Sequence, residues 1–211
     1  MMLAMVYKDL LMLKKWILIT ALLIILMATS TLDASMGMVF PLASMMMAFV
    51  VTSMGFGYDE KSNFMAFALA SPVTRREYAI SKYILPILCG VVGAVATVLV
   101  ESLLYQKDWG MILIEVALTF SIPILILSII IPFFLKYGPE KGRLPMMVVY
   151  ILLLNLFIQF STNLMDFFGK ILAGRTISSS GLAAVILAVG LLVLVISLNI
   201  AIRIMEQKEL S

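Results

Sequence analysis

The sequence predicts an all-α membrane protein of six transmembrane helices with both termini in the cytoplasm. Three observations predict it. Hydrophobic residues make up 63% of the 211 and the mean hydropathy is +1.13, far above what a soluble domain carries. The apolar residues gather into six runs, each near the ~20 residues that cross hydrocarbon. The basic residues fall very unevenly between the connecting segments. Two amphipathic helices complete the fold, one cytoplasmic between the second and third runs and one outside between the fifth and sixth. Residues 1–211 read as a single transmembrane domain.

Residues 1–15 form a loosely amphipathic segment at the membrane surface, with Lys8, Lys14 and Lys15 toward one side and Leu3, Leu10 and Leu13 among the rest. Residues 16–32 are the first apolar run. No A-x-A cleavage pattern follows it, so it reads as a retained helix and not a signal peptide. The further runs are residues 36–56, 80–104, 111–134, 144–161 and 181–202. The fifth is short and needs bilayer thinning or flanking residues to complete a crossing. With the amino terminus inside, Lys8, Lys14, Lys15, Lys61, Arg75, Arg76, Lys82, Lys136, Lys141, Arg143, Arg203 and Lys208 are cytoplasmic, twelve basic residues against Lys107, Lys170 and Arg175 outside. That asymmetry fixes the orientation. Residues 162–180 form the long outer connection, where Leu164, Phe167, Phe168, Ile171 and Leu172 recur at i, i+3, i+4, i+7 and i+8 with Asp166 and Lys170 off that face.

The cytoplasmic loop, residues 57–79, carries the most information. Residues 59–69 predict a short amphipathic helix with Phe64, Phe67 and Ala68 on one face, opposite Lys61, Ser62 and Asn63. A second helix begins after it. Ser71 is its cap, Pro72 suits a first turn, and Thr74 with Glu77 forms a capping box that satisfies backbone N–H groups.

Several chemistries are excluded. The chain has no histidine and a single cysteine, Cys89, inside an apolar run. Zinc-histidine sites, Ser-His and Cys-His catalysis and a disulfide framework are therefore ruled out, and no catalytic or metal-ligating set is predicted. No G-x-x-x-x-G-K-[ST] loop occurs, since Gly55 and Gly57 lead into Tyr58-Asp59-Glu60. No basic run resembles a nucleic-acid arm. Glu101 and Glu115 fall near the outer ends of the third and fourth runs, where they either pair at the interface or gate an outer mouth. Asn155, Gln159 and Asn163 share one helix face. They either hydrogen-bond neighbouring helices or line a polar side of a substrate path. The second run is rich in methionine, Met38 and Met45 included. This is bilayer-compatible filler or a flexible thioether surface for varied apolar ligands. Pro41, Pro86, Pro123 and Pro132 read as kinks or hinges.

The loop residues Glu60-Lys61, Phe64, Ala66 to Leu69, Ser71-Pro72-Val73-Thr74-Arg75-Arg76-Glu77-Tyr78 and Ser81-Lys82, with Tyr7-Lys8-Asp9-Leu10 before the first run, resemble type-2 permeases of ABC transporters. Among these, small size without a large outer domain is most similar to the compact permeases of bacterial exporters for amphipathic peptides, the phenol-soluble modulin type. The resemblance implies a multi-pass protein of the bacterial cytoplasmic membrane whose loop is a coupling helix. Asp59, Glu60, Phe64, Phe67, Arg75 and Arg76 are then the docking residues for a separate ABC ATPase, which binds the ATP and magnesium; this chain itself takes no cofactor. The phenylalanines are its anchors and the arginines its rim, and Phe64→Asp is expected to abolish ATPase association and transport. The implied partners are that ATPase, a second copy or a similar permease, membrane lipids and a peptide cargo, with no nucleic acid. Drug efflux or bacteriocin immunity, and a secondary transporter or channel without an ATPase, are the alternatives. An intramembrane enzyme and a plain membrane anchor stand further off.

Overall fold

A computed structural model describes residues 5–11, 14–15, 39–64, 67, 73–105, 108–138, 147–148, 150–152, 155 and 178–207. All regular structure among them is helical. Four long helices lie among the described residues: α1 (Val39–Lys61), α2 (Arg75–Val100), α3 (Trp109–Tyr137) and α4 (Ser179–Gln207). At 1.5 Å per residue they span about 34 to 44 Å, enough to cross a ~30 Å hydrocarbon layer with some tilt. All four are apolar enough to do so. They correspond to the second, third, fourth and sixth predicted runs. The first run and the outer amphipathic helix lie outside the described residues. The fifth is described only at residues 147–148, 150–152 and 155, which are helical.

α3 sits at the centre and packs against α1, α2 and α4, while α2 also touches α1 and α4. The core joins Met45, Ala48 and Val51 of α1 to Tyr83 of α2, Ile130 and Ile131 of α3, and Met205 of α4. Apolar burial drives no association in lipid, so close approach and internal hydrogen bonds select the partners. Gly93 of α2 lets α1 and α3 in: a Cβ there would lie 2.9 Å from Ser44 Cβ and 3.2 Å from Thr119 Cγ2. The Ser44 hydroxyl contacts the Pro41 carbonyl at 2.9 Å and the Thr119 carbonyl at 3.0 Å. The Ser197 hydroxyl of α4 donates to the Ser128 carbonyl of α3 at 2.6 Å and meets the Tyr83 hydroxyl of α2 at 2.7 Å, tying three helices at one point.

α3 and α4 are parallel. Gly110 lies against Ser179 and Gly190 against Ser121, and Ser197 bonds Ser128, partners 69 residues apart in each case. A parallel pair obliges its connection to return along the bundle, the task the fifth predicted run is expected to perform.

The glycine packing gives a sharp contrast in stability. A Cβ on Gly190 would stand 3.0 Å from Ser121 Cβ and 3.5 Å from its Cα, whereas one on Gly57 meets nothing within 4 Å. Gly190→Val is expected to cost about 1–3 kcal/mol by overpacking. Gly57→Ala is expected to be neutral or to stabilise by up to ~1 kcal/mol through helix propensity. Thermal unfolding in detergent, monitored by circular dichroism, should fall for Gly190→Val and hold or rise for Gly57→Ala.

Candidate functional site

One end of the bundle gathers most of the charged side chains among the described residues. There α1, α3 and α4 finish and α2 begins, because Arg75 of α2 donates to the Met205 and Glu206 carbonyls at 3.3 and 3.0 Å. These carbonyls close α4, whose last turn otherwise leaves acceptors open. α2 starts as the sequence predicts. Thr74 is its N-cap in extended conformation, its hydroxyl accepts from the Glu77 N–H at 3.2 Å, and the Glu77 carboxylate accepts from the Thr74 N–H at 2.9 Å. Ser71 and Pro72 lie outside the described residues.

The short helix expected over residues 59–69 is built differently. α1 continues through Gly57 to Lys61, so Asp59 and Glu60 belong to its last turn. The chain then breaks at Ser62 and Asn63. Asn63 adopts φ 49°, a left-handed conformation that asparagine tolerates better than most residues. Helical hydrogen bonding resumes with the Phe67 N–H donating to the Asn63 carbonyl at 3.2 Å. Phe64 and Phe67 share a face as expected, their ring centres 6.3 Å apart. Phe67 is 68% exposed, whereas Phe64 is half-buried and covers the Lys8 ammonium at 3.5 Å.

α1 continues because Asp59 is compensated inside the protein. Lys8 and Lys82 each reach both Asp9 and Asp59. Lys8–Asp9 and Lys82–Asp9 are 2.9 Å pairs, and both lysines also contact Asp59 closely. The four groups form a neutral square of alternating charge. Asp9, Asp59 and Lys82 are buried. Tyr78 donates its hydroxyl to Asp59 at 2.9 Å, and Lys82 lies 5.6 and 5.3 Å from the rings of Phe56 and Tyr78. A single charge there would be costly to bury, and only a partnered set is tolerable. The square ties residues 5–11 to the end of α1 and the start of α2. Asp59 therefore holds the base of the loop and not its surface, which corrects its expected place on the docking face.

The remaining predicted residues divide. Glu60 lies beside Gly138, the glycine with φ +80° that ends α3. Arg76 is exposed next to Arg75. Glu101 and Glu115 are buried at 2% and 4% exposure at the opposite end, so they are internal and not rim residues. Glu101 is 19 residues beyond Lys82 along one helix, roughly 28 Å away, so the two ends are separate sites. Met45 is 1% exposed within the core. Asn155 is exposed and its amide donates to the Ile151 carbonyl at 2.9 Å. Met38, Gln159 and Asn163 lie outside the described residues.

Lys8, Asp9, Tyr78 and Lys82 were not among the predicted site residues. The signal is a charge in core register: Lys82 follows Tyr78 by four and precedes Leu85 by three, all of them buried. No curated protein and no solved structure matches the chain. A family model described as ABC-2 family transporter protein matches residues 4–206, from just before Lys8 and Asp9 to the last turn of α4, and the chain belongs to that family.

Proposed function

We propose that this chain is the membrane-spanning permease subunit of an ATP-driven exporter for amphipathic peptides. Membership of the ABC-2 family supports a non-catalytic membrane subunit served by an ABC ATPase. The observation that carries the reading is Phe67, 68% exposed on a loop between two membrane helices, a placement suited to an aromatic anchor in a partner's groove. The loop is the coupling element and the charged end faces the cytoplasm, in keeping with the basic residues Lys61, Arg76, Lys136 and Arg203 exposed there. Six spans, two copies about a twofold axis and one ATPase on each make the working unit. ATP binding draws the ATPases together, and the bundles shift as rigid bodies.

Proteoliposomes holding the chain and its ATPase test the reading with a fluorescent synthetic amphipathic helical peptide. Translocation is expected to require ATP. Transport of drugs alone points to the efflux alternative. Transport driven by a proton or sodium gradient without ATP contradicts the reading, and the buried Glu101 and Glu115 are then the groups to examine. In the same vesicles Asn155→Leu with Gln159→Leu is expected to block translocation while the ATPase stays bound. Unchanged translocation would assign that face to helix packing.

A further inference from the structure

We infer that the charge square of Lys8, Asp9, Asp59 and Lys82, with Phe64 seated on Lys8, is the joint that passes movement of the Phe67 loop to the membrane helices; this rests on the coupling role proposed above. The square unites three pieces of chain distant in sequence: residues 5–11, the last turn of α1 and the first turns of α2. Each lysine bridges both carboxylates, so parting any one of the three pieces from the other two breaks two ion contacts at once, with Asp9, Asp59 and Lys82 buried. Such a unit moves whole or not at all, because breaking it is far more costly than carrying it.

The loop is fastened to this unit directly. Phe64 packs with Phe67 on one side and covers Lys8 at 3.5 Å on the other, a cation–π contact that is strengthened by desolvation. A push on Phe67 therefore reaches Lys8, then Asp9 and Asp59, then Lys82. From the same turns of α2, Arg75 grips the closing carbonyls of α4 at Met205 and Glu206. Loop displacement is thereby delivered to α1, α2, α4 and the amino-terminal segment together. Lys8, Asp9, Asp59 and Lys82 are positioning residues of energy coupling, distinct from the exposed contact that binds the ATPase.

The test uses the purified complex of permease and ATPase. The Lys8→Gln, Asp59→Asn double variant removes one lysine and one aspartate and leaves the charge balanced, so folding is favoured. Two readouts separate the roles: ATPase retained on the tagged permease, and synthetic amphipathic peptide translocated per ATP hydrolysed. The variant is expected to retain the ATPase and to lose about tenfold in peptide per ATP, within the usual range of coupling between sites. Unchanged peptide per ATP overturns the joint. Absence of ATPase from the wild-type complex overturns the proposed function and the joint with it. A second measurement needs no change in the square: spin labels at the exposed positions 11 and 61 in a Cys89→Ala background. Their separation is expected to stay constant between nucleotide-free and ATP-bound complexes, and a shift on ATP binding shows that the unit comes apart and overturns the inference.

Discussion

Phe67→Asp is expected to strip the ATPase from the permease while leaving the permease folded. The side chain is 68% exposed, so its loss costs the isolated chain little, and surface substitutions usually fall within about ±0.5 kcal/mol. In the proposed complex with the ATPase the same ring is a desolvated anchor. Truncating such a residue costs ~2 kcal/mol or more, and placing a carboxylate in its apolar seat adds the cost of burying a charge. Together these weaken association by roughly 100-fold or more. Quantitative co-purification checks the result, with an unchanged thermal unfolding curve as the control. Phe64→Asp acts differently, because Phe64 lies on Lys8. A third carboxylate there upsets the neutral square, so that variant loses stability as well as partner binding.

Lys82→Ala is expected to destabilise the permease itself, by about 3–5 kcal/mol, the usual cost of breaking a buried ion pair from one side. Asp9 and Asp59 are left buried with Lys8 as their only remaining partner within the square. Against a typical margin of ~5–15 kcal/mol, that loss should lower the yield of folded protein and the unfolding temperature in detergent. Arg76→Ala, at an exposed position six residues earlier on the same helix, is the control and should change neither. Added salt should not reproduce the effect, since buried pairs are screened far less than exposed ones.

Much of the bundle could be read from the sequence because its signals are local. The apolar runs mark α1 to α4 to within a few residues, and the Thr74–Glu77 capping box appears as the spacing predicts. The face shared by Phe64 and Phe67 was likewise visible as a three-residue spacing. What could not be read depends on contacts between distant segments. Hydropathy falls after Phe56, so Asp59 resembled the start of a surface helix. Its compensation by Lys8, 51 residues earlier, lets α1 run on to Lys61. Lys8 and Lys82 fit the positive-inside pattern so well that the burial of Lys82 leaves no trace in the charge count. Glu101 and Glu115 read as interfacial because a charge near the end of a run usually is; the packing of α2 and α3 encloses them. Met45 suits either apolar filler or adaptable lining by its residue type, and its neighbours in the core are contacts between distant segments.

The most direct measurement of the central claim is photocross-linking from position 67 in intact membranes. With a photoreactive residue replacing Phe67, one principal adduct is predicted, to a polypeptide carrying a G-x-x-x-x-G-K-[ST] loop, and it should disappear when that partner is absent. Adducts only to lipid, or only to the permease's own residues, would contradict the account.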